Sequence, residues 1–501
     1  MKLVGIDIGT TCCKVTVFNP DGAILGYGFR EYGMVCDEPA KAEQDAELVY
    51  QRMLEACREA VHQAGRSDYF ALAVSVQGDA VIPINREGAP LYSAVLGMDY
   101  RSAEEAKWCQ EKIGSWKLFE HTGMCAHPIN SVVKILWIQR HRPDVYRKAW
   151  KIVTYSDFLL YRLCRKPVID MCMASRTMGF DLQKREWASD ILDDLGMDLS
   201  FLSKIIPSGE VAGELEKEVA EETGLPYSLP VVAGGHDASC ASLGAGADHE
   251  GIGVLAAGTA DVLCTVFSKP QLVSQLFDGM YPCYIHCFNS LYITFSLNHV
   301  GGILFHWFRD TLCAEECRHV IELGQDPYDY LVQEAGDRPS PVMVLPHFNG
   351  SGNPICDMES KGAIVGLTLG TKRGDLIRAI LESLSFELKI NVETMEKAGI
   401  HIDEIRVVGG GAKSRCWLQV RADILGRPVS TVRVREASCL GAAILAGVAT
   451  GVYSTVGEGV DRTVEVSEVF EPNERQSAQY NDRFSLYRRL YPLLKEMNRK
   501  L

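Results

Sequence analysis

The sequence predicts an α/β protein built as two similar domains facing one ligand cleft, the first over residues 1–246 and the second over 247–501. Two observations carry this. Near the N-terminus, Val4-Gly5-Ile6-Asp7-Ile8-Gly9-Thr10-Thr11-Cys12-Cys13-Lys14-Val15-Thr16-Val17-Phe18 sets two apolar runs rich in β-branched residues on either side of a Gly-Thr-Thr turn, the pattern of a hairpin. Near the half-length the device returns as Gly258-Thr259-Ala260-Asp261-Val262-Leu263-Cys264-Thr265-Val266-Phe267, aligned with the first copy without a gap and matching at Gly-Thr and again at Thr-Val-Phe. The copies differ in charge: where the first carries Asp7 and Lys14, the second carries Ala256 and Leu263.

The corner of the first hairpin suits phosphate. Gly9 allows close backbone approach, the amides and hydroxyls of Gly9, Thr10 and Thr11 can point at phosphoryl oxygens, Lys14 adds a point charge, and Asp7 can hold Mg²⁺ directly or through water. Gly-Thr hairpins without a ligand are also common, so the corner alone leaves both readings open.

Composition narrows the classes. A chain of 501 residues can bury more than one core, and 47% hydrophobic with 23% charged residues opposes extensive disorder. A net charge of −14 argues against a general nucleic-acid or anionic-membrane surface, so an anionic ligand needs a local site of amides, a metal and a few cations. The first residues lack the apolar core of a secretory signal, and the apolar run 252–267 is too short for a membrane span and contains Asp261, so a cytoplasmic protein is expected. Its 17 cysteines are scattered mostly singly in apolar segments, which points to buried free thiols. Cys283, His286 and Cys287, and Cys313, Cys317 and His319, approach metal-ligand spacing but lack the Cys-x-x-Cys pairs of zinc sites.

Taken in order, residues 23–31 read as a third strand and 45–64 as a helix with Leu48, Met53, Leu54, Cys57 and Val61 on one face, stopped by Gly65. The apolar strand 69–76 runs into Gln77-Gly78-Asp79, polar residues at a strand's C-terminal end, where α/β sheets present ligands. Residues 81–85 and 91–96 read as a second hairpin, and Gly97-Met98-Asp99-Tyr100-Arg101 leads into a helix capped by Ser102. Asp99 and Arg101 suit recognition of hydroxyls and equally suit a local ion pair. After helices at 131–141 and 156–164, an irregular stretch to 208 reads as an insertion elaborating the first domain's cleft. The buried strand 229–233 ends in Gly234-Gly235-His236-Asp237, which places Asp237 at a strand-to-helix corner where the helix N-terminus would keep it ionised as a base, or where it is simply an N-cap. In the second half come strands at 342–345 and 364–368, a long helix at 373–398, and the strand 405–408 opening onto Gly409-Gly410-Gly411-Ala412-Lys413-Ser414, a flat floor for a nucleoside that lacks the dinucleotide spacing. A final helix is expected over 476–500.

With these elements in place, the chain resembles the FGGY carbohydrate kinases over nearly its whole length, closest to their xylulokinase-like branch. Gly5-Ile6-Asp7-Ile8-Gly9-Thr10-Thr11-x-x-Lys14 is similar to the family's first phosphate motif, Gly258-Thr259 to its second, Gly409-Gly410-Gly411-Ala412-Lys413-Ser414-x-x-Trp417 to its adenosine motif, and Gly235-His236-Asp237-Ala238 to its catalytic-base motif. The resemblance implies two actin-like (ribonuclease H-like) domains, with ATP mostly on the second and the sugar mostly on the first. It implies Mg²⁺ near Asp7, phosphates cradled by Gly9–Thr11, Lys14 and Gly258-Thr259, adenosine on Gly410, Gly411, Ala412 and Ser414, and Asp237 as the base. The sugar would meet Gln77, Asp79, Met98, Asp99, Arg101, His236 and Asp237.

The chain departs from the family mainly on the sugar side. A Ser-Gly-Gln-Met-His-like stretch is here Ser75-Val76-Gln77-Gly78-Asp79, and a Trp-x-Asp-x-Arg pattern has Gly97 for the Trp, which implies a larger or more polar pocket and puts xylulose itself in doubt. The expected substrate is an open-chain ketose or sugar alcohol. The partners are then a small sugar and ATP, with neither nucleic acid nor membrane, and a homodimer is compatible with the sequence. The rival readings are an ATPase of the same superfamily and a silent nucleotide-binding scaffold; neither needs a sugar site.

Overall fold

The computed structural model describes residues 1–288 and 290–501. Strand β1 (Lys2–Ile8) is antiparallel to β2 (Cys12–Phe18), and β2 to β3 (Ile24–Glu31). On the other side of β1, β4 (Tyr69–Val76) runs parallel to it. β5 (Val211–Glu214) is antiparallel to β6 (Pro230–His236), and β6 runs parallel to β4, giving a six-stranded sheet in the order β5-β6-β4-β1-β2-β3. The central strands read as nearly continuous apolar runs because both sheet faces are covered. Helix α1 (Ala46–Ala64), capped by Asp45 accepting from Glu47 N and Leu48 N, lies on β2 and β3. Gly26 and Gly28 let it approach, since a Cβ at either would overlap the Ala60 or Ala56 carbonyl.

The second sheet repeats this plan. β7 (Gly251–Ala257) and β8 (Asp261–Phe267) form the second hairpin; β9 (Tyr284–Ile285), β10 (Tyr292–Asn298), β11 (Ile402–Val408), β12 (Val429–Val432) and β13 (Val466–Phe470) complete a seven-stranded sheet in the order β9-β10-β8-β7-β11-β12-β13. The succession β3-β2-β1-β4-β6 of the first sheet is matched by β10-β8-β7-β11-β12, antiparallel on one side of the hairpin's first strand and parallel on the other. The repeat is therefore one of topology, but its alignment needs a gap. Ile8 pairs with Cys13 across the first turn, whereas Ala257 pairs with Asp261, so the second turn is one residue shorter. The partner of Ala256, and the counterpart of Lys14, is then Val262 and not Leu263. A one-residue shift exchanges the two faces of a strand, which is why the Thr-Val-Phe match is not a structural equivalence.

Behind the cleft, helix α2 (Asp237–Gly244) follows β6, the long α3 (Arg373–Lys397) backs the second sheet, α4 (Arg415–Leu425) follows the glycine turn, and α5 (Ala437–Ala449) crosses back to the first sheet. Helix α5 packs on β1, β4 and α2 through glycines: a Cβ on Gly5 would overlap the Cys439 carbonyl, one on Gly244 the Ala437 carbonyl, and one on Gly441 the Cys240 carbonyl. The two halves are thus joined at the base of the cleft by backbone-to-backbone packing.

Several local expectations change. Residues 82–84 pair chiefly with Lys151–Val153, and Ala94–Val95 with Glu43–Gln44; Pro83 and Pro90 lack the N–H groups for a full hairpin ladder between 81–85 and 91–96. Ser102 donates to Pro128 O (3.2 Å) and makes no side-chain cap. The last helix divides into Glu474–Tyr487 and Leu490–Asn498, and Pro492 falls in the first turn of the second piece, where no N–H is needed. Among the described residues no helix is long and apolar enough to cross a membrane, and no cluster of three or more His, Cys, Asp or Glu could hold a metal ion by itself. All 17 cysteines are free thiols.

Candidate active site

The end of β1 and the start of β2 build the phosphate corner. Asp7 and Lys14 face each other in register, yet their side chains part: Asp7 accepts from Ser75 Oγ (2.9 Å), and Lys14 Nζ sits 2.8 Å from Glu436, just before α5. Burial pushes Asp7 up to about 6, against the Ser75 hydrogen bond and the Lys14 charge. Burial opposes the charge of Lys14, but Glu436 more than offsets it and holds the ammonium well above its ordinary range. Lys14 is therefore not an unpartnered phosphate ligand but one leg of an ion pair that ties the first hairpin to the second half. Behind the turn, the Gly9 carbonyl is 2.7 Å from the Tyr32 hydroxyl and the Thr10 carbonyl accepts from Gln44 Nε2 (2.9 Å), while Thr11 is exposed.

On the second sheet, Gly258 and Thr259 meet the start of the helix Gly302–Leu312: Gly302 N donates to Gly258 O (2.8 Å) and Gly301 N to Thr259 O (2.9 Å). They line a pocket of about 410 Å³ with Gly302, Gly410, Gly411, Ser414 and Trp417. Gly410 faces open space, whereas a Cβ on Gly411 would stand 2.6 Å from Ala257 Cβ and one on Gly409, at φ 86, would stand 2.9 Å from Ala257 O. Close approach of the turn to β7 is what Gly409 and Gly411 provide. Ala412 turns toward the apolar core and does not line the pocket, and Ser414 caps α4 by accepting from Trp417 N (3.4 Å). Beneath Trp417, the fully buried Arg421 stacks at 3.9 Å and pairs with Asp261 (2.7 Å), an ion pair that sequence reasoning passed over. Gly410 lines the pocket and a Cβ there meets no atom within 4 Å, so the backbone tolerates a side chain at this position. Gly410→Leu is expected to raise the ATP KM roughly 10-fold or more, about 1.4 kcal/mol, with the sugar KM and thermal midpoint unchanged; initial-rate kinetics with a melting curve check this.

Between the two lies Asp237, the first residue of α2. Its Oδ1 accepts from Ala238 N (2.6 Å) and is 3.1 Å from His236 Nε2. The helix N-terminus does not keep this carboxylate at its ordinary acidity: burial, then the charge of Asp7, lift it to about 7, against the Ala238 N–H and Arg176. His236 is held well below its ordinary range by burial and by Arg176, and its Nδ1 is 3.2 Å from the Tyr284 hydroxyl on β9.

The sugar-side residues continue from Asp237 into the first half. Gln77 donates to Gln44 Oε1 (3.1 Å), and Asp79, with φ 67, pairs with Arg176 Nη2. Of the two readings of Asp99 and Arg101, the structure forms the ion pair: Arg101 Nε is 3.0 Å from Asp99 Oδ2, its Nη2 reaches Glu43 (2.7 Å), and the guanidinium lies 4.5 Å over Trp137. Asp99 also accepts from Ala42 N (2.7 Å), so it is a positioning carboxylate. Met98 is half-exposed. Gly97 does not open a free space: a Cβ there would be 3.1 Å from Gly78 O, 3.7 Å from Ile129 Cγ1 and 3.9 Å from Asp79 Cβ.

Sequence reasoning missed Arg176 and Lys134. Lys134 is fully buried, donates to Pro128 O (2.7 Å) and Ile129 O, and burial lowers it to about 7 near Asp79 and Asp99. The signal was available, since both are charged residues set in apolar helical runs, Val132-Val133-Lys134-Ile135 and Met173-Ala174-Ser175-Arg176.

Comparison with known proteins agrees with this layout. Residues 2–244 match the model of the FGGY family of carbohydrate kinases, N-terminal domain, and residues 253–450 that of its C-terminal domain. The chain is 25% identical to the xylulose kinase of Staphylococcus xylosus (98% of this chain, 99% of that protein) and 29% identical to the gluconokinase of Bacillus subtilis (100% and 96%). The solved structure of xylulose kinase from Rhodospirillum rubrum superposes with a TM-score of 0.91 at 23% identity, covering 99% of this chain and 100% of that one, which establishes the fold as two actin-like domains.

Proposed function

The chain belongs to the FGGY family of carbohydrate kinases and is an ATP-dependent carbohydrate kinase, and from that premise we propose that it phosphorylates a neutral open-chain ketose or sugar alcohol, with Asp237 as the base. One observation carries this reading: the carboxylate of Asp237, lifted to about 7, lies within electrostatic reach of Asp7 on one side and of the Arg176–Asp79 pair on the other. A group near neutrality is matched to accepting a proton from a hydroxyl as it attacks a phosphoryl group. His236 Nε2 is placed to orient it.

The neutral substrate follows from the cations. Among the described residues Arg101 is charge-compensated by Asp99 and Glu43 and Arg176 by Asp79, and the Lys134 ammonium is turned onto two backbone carbonyls, which favours a neutral substrate over an aldonate. The adenosine is assigned to the pocket of Gly410, Gly411 and Ser414, and the phosphates to Gly258, Thr259 and Gly9–Thr11. The donor set at Asp7 fits Mg²⁺: a half-buried carboxylate with one hydrogen-bond donor, no ion pair among the described residues, and a second carboxylate, Asp237, near enough for the Asp7 charge to raise it. When bound, the ion supplies charge neutralisation to the transferring phosphoryl oxygens. The division at 246/247 is supported by the two sheets, whose strands lie within 2–236 and 251–470. A cytoplasmic setting is supported by the free thiols, and a homodimer is left to sedimentation.

Sugar-dependent ADP release over ketoses, their alditols and aldonates tests the reading. Release with a ketose or alditol is the expected result. Release only with aldonates overturns the neutral substrate, sugar-independent hydrolysis makes the chain an ATPase, and no turnover with nucleotide binding makes it a scaffold.

A further inference from the structure

Asp7 and Lys14 are paired in register across the first hairpin, and Ser75 stands opposite Asp7 on the other side, in β4, so the three side chains share one face of the sheet. Opposite charges so placed ordinarily form an ion pair, since directly opposed residues have Cβ atoms about 5 Å apart and the lysine stem spans that distance. Here the pair is not made. Asp7 takes the Ser75 hydrogen bond (2.9 Å) and has no ion pair among the described residues, while Lys14 Nζ turns to Glu436 (2.8 Å). Glu436 occupies the N-cap position of α5, yet its side chain makes no cap hydrogen bond, and the Tyr27 hydroxyl of β3 stands beside the same carboxylate. Its distance from the hairpin is fixed by backbone packing: the carbonyl of Cys439, in the first turn of α5, fills the space a Cβ on Gly5 would take, and Cys439 Sγ lies 3.7 Å from the Lys14 carbonyl.

We propose that Glu436 is a positioning residue for the metal, drawing the Lys14 ammonium off the Asp7 carboxylate so that Asp7 keeps its oxygens for a divalent cation. The inference rests on the reading of Asp7 as the metal residue and adds to that site a residue from the far end of the chain. Its physical basis is competition. A hard divalent cation takes an ionised carboxylate with uncommitted oxygens, and an ammonium hydrogen-bonded to those oxygens must be displaced before the metal binds. Among the described residues the carboxylates acting on Lys14 are those of Glu436 and Asp7, so loss of the first hands the ammonium to the second. Glu436 thus acts on Asp7 through Lys14, and because it is carried by α5 it makes the metal site of the first half depend on the seating of a helix of the second.

The test titrates Mn²⁺ into ADP-saturated protein and follows the free ion by electron paramagnetic resonance, against ADP alone, so that no turnover is involved. Asp7→Ala judges the underlying reading: unweakened Mn²⁺ binding in that variant removes Asp7 from the metal and the present inference with it. Where Asp7→Ala does weaken the metal, Glu436→Gln is expected to weaken it roughly 10-fold, within the range for losing a residue that orients a metal ligand. Glu436→Asp, which withdraws the carboxylate by one methylene, is expected to weaken it less and serves should Glu436→Gln fold poorly. Adding Lys14→Met to either variant is expected to restore the metal, because the competing ammonium is gone. Wild-type Mn²⁺ affinity in the Glu436 variants overturns the proposal, and tighter binding of metal-free ADP in them would show that Lys14 has turned to phosphate instead. A double variant as weak as its Glu436 parent overturns it as well, since that is the mark of a packing role for Glu436.

Discussion

Asp237→Asn is expected to lower kcat by roughly 10² to 10⁴ with both KM values little changed, the usual range for removing a positioned general base. Asparagine preserves the shape and can still meet Ala238 N through its carbonyl, so the corner between β6 and α2 survives. What is lost is the proton acceptor. The pH dependence supplies a second check. Because burial and Asp7 raise this carboxylate to about 7, the wild-type kcat/KM should climb tenfold per pH unit below about 7 and level off above it, as the base form fills. In the asparagine variant that limb should vanish from the residual rate. Because the charge of Asp7 is one of the causes that lift Asp237, Mg²⁺ held at Asp7 would offset it, and saturating Mg²⁺ should move the acid limb to lower pH. Near-normal turnover in Asp237→Asn sinks the assignment.

Asp7→Ala is expected to raise the Mg²⁺ concentration for half-maximal rate and to cut turnover at fixed Mg²⁺ by roughly 10- to 100-fold. Its side chain meets Ser75 and no sugar-side residue, so sugar affinity, measured by calorimetry without nucleotide, should stay unchanged. Equal loss of sugar binding would make Asp7 a structural carboxylate. Losing the Asp7 carboxylate also removes a negative charge that helps to lift Asp237, so the acid limb of the residual activity should move to lower pH.

Much of the fold and of the candidate site was legible in the sequence because both are written locally. The Gly-Thr turns, the glycine run at 409–411 and the carboxylate behind Gly234-Gly235 each need a backbone that few residues allow, and strand period and helix caps follow from neighbours within a few positions. The duplicated hairpin even announced the duplicated sheet. Residue-by-residue equivalence was not legible, because register is fixed by which residues pair across the turn, and the second turn is one residue shorter.

What only the tertiary structure decided is who meets whom across long separations, and hence the charge state of the site. Lys14 finds Glu436 from the far end of the chain, Arg176 finds Asp79, Tyr284 and Phe295, and the Asp99–Arg101 pair closes on Glu43 and Ala42. By itself, the sequence determined that Asp237 stands at a helix N-terminus, which favours the ionised form; the packing of α5 behind it and the charge of Asp7 determined that this partly buried carboxylate is raised instead, because desolvation and a like charge oppose ionisation more strongly than one short helix favours it.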